Sequence, residues 1–352
     1  MLKKLALTNF TAFSKAELNF SKGINVVIGK NSVGKSHLLK LGYVLCEVEN
    51  EREKLGDNAY LYGNEAVSTK ILNIFKANYL NSLIRKGIEP DLLKIKYIFF
   101  DTSHKDLEKK IVVEGKYLKL IPDLDMGFTH NDWQRAVYIP PKEILSIYPG
   151  LAQAIKNREL SFDHTYSDLC DALGQTSLRG DKLKEIEDIL LTIEKDLFSG
   201  GKFIEDSGQF YFKNESIGKI EAPLVAEGLC KLGMLTHLLR NGSLVKGSTF
   251  FWDEPESNLN PQLLKLVAKA MTSLADYGIQ IVLATHSLFL MRELDILSRK
   301  NESSLRFFGL TQTDDGVEVS QGDSIEDIDD IQALEAELDQ SGRYLALEYG
   351  DE

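Results

Sequence analysis

Gly29-Lys30-Asn31-Ser32-Val33-Gly34-Lys35-Ser36 satisfies the pattern G-x-x-x-x-G-K-[ST] at every fixed position. In such a loop the glycines let backbone N–H groups converge on phosphate oxygens, and the helix that follows adds positive potential. Lys35 reaches the β- and γ-phosphates and Ser36 can ligate Mg²⁺. Lys30, Asn31, Ser32 and Val33 complete the cradle, and His37 follows it into the helix. The plain alternative is a chance glycine loop, and the flanks argue against it. Apolar Ile24 to Ile28 runs into Gly29 as a strand, and Leu38, Leu39, Leu41, Leu45 and Val48 read as a helix from Ser36 onward. Strand, glycine loop and helix in that order predict a nucleotide-binding α/β fold.

Working outward, Leu2 to Asn9 and Ala16 to Phe20 read as short strands that precede the loop strand. Residues 50–215 are mixed: a helix over Ala66 to Arg85, a strand over Ile95 to Phe100, a hairpin over Ile111 to Ile121 turning near Gly115, and a buried strand Val137 to Ile139 stopped by Pro140-Pro141. Between Asp181 and Phe198, Leu183, Ile186, Leu190, Ile193 and Leu197 recur at spacings of 3 and 4, a two-heptad packing helix too short for a coiled-coil arm. A hairpin around Asp206-Ser207-Gly208 follows. The last third alternates helix Ala226 to Arg240, strand Thr249 to Trp252, helix Pro261 to Asp276, strand Ile279 to Ala284 and helix Ser287 to Leu297. Such alternation implies a parallel sheet. The expected organisation is a nucleotide-binding head from residues 1–50 and 215–322, an inserted α+β/helical lobe over 51–214, and a C-terminal tail over 323–352.

Two further stretches carry chemistry. Phe250-Phe251-Trp252-Asp253-Glu254 is an apolar strand ending in two acids, where Asp253 would hold a Mg²⁺ water shell and Glu254 could polarise an attacking water. A strand stopping at a charged turn before Pro255 is the bland reading of the same residues. Thr285-His286-Ser287 ends the next apolar strand, on the ligand edge of an α/β sheet, which makes His286 the candidate γ-phosphate sensor.

The order of these motifs resembles the ABC-type ATPase head of the SMC, RecF and OLD (overcoming lysogenization defect) group. Leu7-Thr8-Asn9-Phe10 resembles that group's N-terminal l-x-N-F strand, and Asp253 to Pro261 resembles its D-E-P-E-x-x-L-[HN]-P run. The resemblance covers residues 1–48 and about 215–297. It implies a P-loop NTPase with a mixed sheet flanked by helices, ATP and Mg²⁺ as cofactors, and a D-loop over Ser257 to Asn260, with Asn258 and Asn260 near nucleotide. It also implies that Ala226-Glu227-Gly228-Leu229 is the signature loop, which meets ATP held by a second subunit. Departures accompany the match. The signature serine is Ala226, Thr11 replaces a basic residue after Asn9-Phe10, and no Q-loop glutamine stands out among Gln134, Lys142 and Glu143. Slow turnover is the expectation.

Composition bounds what such a head can be. The chain has 352 residues, 43% of them hydrophobic, and a formal charge of −12. Eleven acids and one base lie in residues 323–352, which leaves 40 basic and 42 acidic residues in the first 322. Within that tail Ile325, Ile328, Ile331, Leu334 and Leu338 predict an amphipathic helix. No run approaches the roughly 18 apolar residues of a membrane span, so a cytoplasmic, non-membrane protein is expected. Cys46, Cys170 and Cys230 form no C-x-x-C pair and read as packing residues, and His104, His130, His164 and His237 have no metal spacing. Asp163, His164, Tyr166 and Asp168 read as a solvated loop rather than a nuclease cluster. Only about 190 residues separate phosphate loop and signature, against an SMC-like long coiled coil, and about 55 follow Leu297, too few for a Toprim nuclease domain. The expected protein is an ATP-binding and ATP-hydrolysing switch that oligomerises around ATP and controls a separate effector, a toxin or nuclease, in antiphage (antiviral) defence. The alternative is a RecF-like DNA-binding repair ATPase, with Lys94, Lys96, Lys105, Lys109, Lys110, Lys116 and Lys119 as candidate nucleic-acid contacts.

Overall fold

The computed structural model describes residues 1–55, 63–87, 91–100, 108–121, 136–157, 160–301, 303–329 and 331–349. The chain opens with β1 (Leu2–Phe10), β2 (Phe13–Asn19) and β3 (Ile24–Gly29), and β3 passes through the glycine loop into α1 (Lys35–Leu55). There follow α2 (Asn64–Phe75), β4 (Leu92–Phe99), the hairpin β5 (Lys109–Glu114) and β6 (Tyr117–Ile121), and the short β7 (Val137–Ile139). Helices α3 (Tyr148–Lys156), α4 (His164–Leu173) and α5 (Asp181–Phe198) lead to a meander of β8 (Lys202–Asp206), β9 (Gln209–Asn214) and β10 (Gly218–Glu221). The remainder is α6 (Glu227–Arg240), β11 (Thr249–Asp253), α7 (Pro261–Tyr277), β12 (Gln280–Thr285), α8 (Leu288–Asn301), β13 (Leu305–Thr313), β14 (Gly316–Gly322) and α9 (Gln332–Tyr349).

Six strands form the central sheet in the order β14-β13-β3-β12-β11-β7, with β13, β3, β12, β11 and β7 parallel and β14 antiparallel at the edge. Its inner strands β3, β12 and β11, and the short β7, are buried on both faces. On one face Val26, Phe250, Trp252, Ile281 and Leu283 join a core with α4, α5, α6, α7 and α8. On the other, Val27, Phe251, Val282 and Phe308 pack with α1, α2 and a second, antiparallel sheet ordered β2-β1-β4-β5-β6. The fold is a mixed sheet flanked by helices, as the resemblance implies.

Of the region expected as an inserted lobe, 51–214, strands β4, β5, β6 and β7 enter the two sheets of the head, and β8, β9 and β10 form a small sheet of their own. Strand β4 pairs with β1, and β7 pairs with β11, the strand that ends at Asp253. Short, separated strands give no sequence signal of such long-range partners. The helix expected over Ala66 to Arg85 is shorter: it ends at Phe75, where Lys76 takes a left-handed cap, and a 3-10 turn Leu80–Leu83 follows. The tail differs too. Ile325, Ile328, Ile331 and Leu334 do pack on the body, but through a 3-10 turn Ile325–Asp327 and an extended link, and α9 begins only at Gln332 with Leu338 63% exposed. A capping box on Ser324 and Asp327 starts that turn, and the Asp329 amide donates to Ser320 Oγ. Strands β13 and β14 are absent from the sequence reading, and His104, Lys105, His130 and Gln134 lie outside the described residues. The three cysteines are buried in the cores.

One buried polar residue joins the two sheets. Gln280, at the start of β12, is fully buried; its Oε1 accepts from the Leu2 amide (2.8 Å) and from Thr249 Oγ1 (3.2 Å), and its Nε2 donates to the carbonyls of Leu2 and Ser21 (both 2.7 Å). Removing the amide would strand several buried backbone groups at once. Gln280→Leu is predicted to lower the unfolding free energy by about 3 kcal/mol in urea titrations, and a loss under about 1 kcal/mol would show that these groups find other partners.

Candidate functional site

Parallel register brings the three motif strands to one edge. Ile28 of β3 stands beside Thr285 of β12, and Ala284 of β12 stands beside Asp253 of β11, so the glycine loop, the acid pair and His286 leave the sheet together. The loop is built for close approach. Gly34 has φ +101°, and a Cβ there would lie 3.0 Å from the Phe13 ring. Lys30, Asn31 and Ser32 are exposed along the rim, Val33 is buried beneath, and the His37 ring packs edge-on against Phe75.

Lys35 is 7% exposed and its Nζ donates to the carbonyls of Gly29 (2.7 Å) and Lys30 (2.8 Å), folded back on its own loop. Burial pulls its pKa down, and Glu254, Asp253 and Glu256 push it back up. Asp253 is buried; Tyr138 Oη donates to its Oδ2 at 3.0 Å, while its Oδ1 meets no hydrogen-bond partner among the described residues. Burial raises its pKa, and the hydroxyls of Ser36 and Tyr138 lower it. An orphaned buried carboxylate oxygen facing a serine hydroxyl is a hard oxygen donor set, which fits Mg²⁺. Ser36 and Asp253 are the residues that would hold it.

Glu254 adopts φ +49°, uncommon for a residue with a Cβ. Its amide donates to the Ala284 carbonyl (3.0 Å), and Ser257 Oγ lies 3.4 Å from its Oε2. Glu256 holds the neighbouring strand end: its Oε1 accepts from Thr285 Oγ1 (2.8 Å) and the His286 amide (2.9 Å) and lies 3.2 Å from His286 Nδ1. The imidazole of His286 is 56% exposed, free to meet a ligand at the sheet edge. Glu256 was invisible as a site residue in the sequence, although the D-E-P-E run contains it.

The signature and D-loop segments touch each other within one chain. A Cβ on Gly228 would come within 2.6 Å of the Asn258 carbonyl. Exposed Ala226 is the N-cap of α6 and gives no side-chain cap, and Glu227 lies in the first turn. Asn258 is exposed with φ +64°, whereas Asn260 caps α7 by accepting from the Leu263 amide at 2.9 Å. Asp163, His164, Tyr166 and Asp168, expected in a solvated loop, instead start and form α4: Asp163 caps it and pairs with Lys40 (2.8 Å), and Asp168 accepts from Tyr43 Oη (2.8 Å). His237 is a buried core histidine whose Nε2 lies 2.9 Å from the Leu173 carbonyl.

The fold and this edge together define an ABC-type ATPase head of the SMC/RecF group. The chain belongs to the family described as "AAA domain, putative AbiEii toxin, Type IV TA system", which matches residues 24–292. It is similar to the DNA replication and repair protein RecF of Macrococcus caseolyticus, with 38% identity over 64 residues (18% of this chain, 17% of the relative). The DNA double-strand break repair Rad50 ATPase of Thermococcus kodakarensis is 27% identical over 199 residues (55% of this chain, 21% of the relative). The chain thus spans about a fifth of the length of the curated relatives it matches. Among solved structures, the SMC head domain from Thermotoga maritima superposes with a TM-score of 0.51 at 14% identity, covering 90% of this chain and 97% of that one. An Smc head bound to the C-winged helix domain of ScpA gives 0.54 at 16% identity, covering 92% and 98%. Among the described residues, no helix is long and apolar enough to cross a membrane.

Proposed function

We propose that this protein is an ATP-hydrolysing switch in which two or more copies hold ATP between the glycine loop of one and the α6 N-terminus of another. The observation that carries this reading is the convergence of Lys35, Ser36, Asp253, Glu254 and His286 on one sheet edge. Backbone amides of residues 29–36 and the Lys35 ammonium would cradle the phosphates. Mg²⁺ bound at Ser36 and Asp253 would supply charge neutralisation on the phosphate oxygens. Glu254, beside Asp253 and outside the donor set, takes a proton from the attacking water, and His286, oriented by Glu256, donates toward the γ-phosphate. The uncapped amides at Ala226, Glu227 and Gly228 favour an anion from a second subunit, without a serine hydroxyl to help them. Slow turnover fits that loss.

A switch needs something to read it. The proposed reader is a separate effector protein, a toxin or nuclease, in a cytoplasmic antiphage system; support comes from the family's own description, which names a toxin of a Type IV TA system. Glu254→Gln is expected to bind ATP and accumulate a stable oligomer while turnover falls by about 10²–10³-fold. Lys35→Ala is expected to lose nucleotide. Equal turnover in wild type and Glu254→Gln would remove Glu254 from the role of base.

One observation favours the second reading, a RecF-like DNA-binding ATPase. Strand alternation places Lys4, Lys15, Lys94, Lys96, Lys110 and Lys119 on the outward face of the β2-β1-β4-β5-β6 sheet, with Lys15, Lys94 and Lys119 in one cross-strand row. Lys4 and Lys96 are paired with Glu17 and Glu108, and Lys109 turns to the other side to pair with Glu49. Should this face hold duplex DNA, Lys94→Glu with Lys119→Glu would weaken retention and reduce the salt slope by about 2. Affinity and ATPase rate that stay flat as duplex is added at low salt would discard it.

A further inference from the structure

Lys231 lies on α6, three residues beyond Gly228, and is 1% exposed. Its Nζ donates to the carbonyl of Glu254 at 2.5 Å and to the carbonyl of Pro141 at 3.0 Å. A buried ammonium is costly unless its donors are met, and here two backbone oxygens from two different strand ends meet them. One oxygen follows β11; the other follows β7, in the segment that carries Lys142 and Glu143. Burial draws the Lys231 pKa down to about 8, against the pull of Glu256, Glu254 and Asp253.

We propose that Lys231 is a positioning residue that couples the signature helix to Glu254, fixing the backbone from which the base is aimed. Glu254 holds a left-handed φ of +49°, a conformation that persists only where surrounding contacts impose it. Its amide is fixed by the Ala284 carbonyl, and its carbonyl by Lys231 and, at 3.2 Å, by the Ser257 amide. Without Lys231 the weaker Ser257 contact alone holds that carbonyl, and the peptide that sets the carboxylate's direction can turn. Residues three apart on a helix share a face, so Gly228, packed on the Asn258 carbonyl, and Lys231 move together. A displacement of α6 on meeting nucleotide in a second subunit therefore reaches Glu254 through one rigid hydrogen bond. Lys231 acts through the main chain of Glu254, whose carbonyl its Nζ holds.

This inference rests on Glu254 as the base, and the test separates the two. Steady-state ATPase assays and fluorescent-nucleotide titrations would compare wild type, Lys231→Met, Lys231→Arg and Glu254→Gln. The expected result is a fall in kcat of at least tenfold in Lys231→Met, with nucleotide Kd within threefold of wild type and partial recovery of kcat in Lys231→Arg. A core lysine with only a packing role would instead lower thermal stability while kcat per folded molecule stays unchanged, and that result overturns the proposal. A joint loss of kcat and nucleotide affinity overturns it as well. Should Lys231→Met fail to fold, Lys231→Gln carries the same expected split and the same refutation. An inactive Glu254→Gln beside a fully active Lys231→Met defeats the coupling alone; an active Glu254→Gln defeats the base assignment and the coupling with it.

Discussion

Everything at the candidate site depends on the parallel register of β3, β12 and β11. Because Ile28 aligns with Thr285 and Ala284 with Asp253, three segments distant in sequence end at the same height. The ladder extends one step further when the Glu254 amide donates to the Ala284 carbonyl, which forces the chain to turn within the acid pair. A one-residue slip of β12 would exchange the sheet faces of its side chains and separate the glycine loop from the carboxylates. Register is protected by burial on both faces and by Gln280, whose amide ties the start of β12 to Leu2 and Ser21.

Electrostatics then follow from this edge being partly dry. Burial raises the Asp253 pKa while the Ser36 and Tyr138 hydroxyls and Lys40 lower it; burial lowers the Lys35 pKa while Glu254, Asp253 and Glu256 raise it. The lysine folded on the Gly29 and Lys30 carbonyls and Asp253 Oδ1, unpartnered among the described residues, are complementary: a donor satisfied by its own loop and an acceptor open to a cation. A phosphate chain and a hard cation would satisfy both in better fashion, which is the physical reason for assigning them there.

Local motifs made the site legible because their spacing encodes their geometry. The glycine loop, Asp253-Glu254 and His286 each lie where a strand meets a turn, and apolar runs mark those strand ends clearly. Residues that act across long separations were not legible. Lys231 reads in sequence as one more polar residue on a helix, and only its burial and its two carbonyl partners mark it out. Gln280 reads as the polar start of a strand. Strands β13 and β14 follow a helix without strong alternation, and the tail's three-to-four spacing resembled one helix although Ser324 and Asp327 start a separate turn. The acidic tail also shows why net charge is a poor guide to structure. Its first apolar residues dock on the body, while α9 leaves Leu338, Tyr344 and Leu347 largely in solvent, tied back by the Arg292–Glu337 pair at 3.0 Å.

The most direct measurement is a crystal structure of Glu254→Gln with ATP and Mg²⁺. The expected result is two copies per pair of nucleotides, Lys35 Nζ withdrawn from the Gly29 and Lys30 carbonyls onto phosphate, the ion's shell at Asp253 Oδ1 and Ser36, and the α6 N-terminus of the second copy against the γ-phosphate. Nucleotide bound in a lone copy, with α6 of every neighbour remote from it and Asp253 Oδ1 still unpartnered, would contradict it.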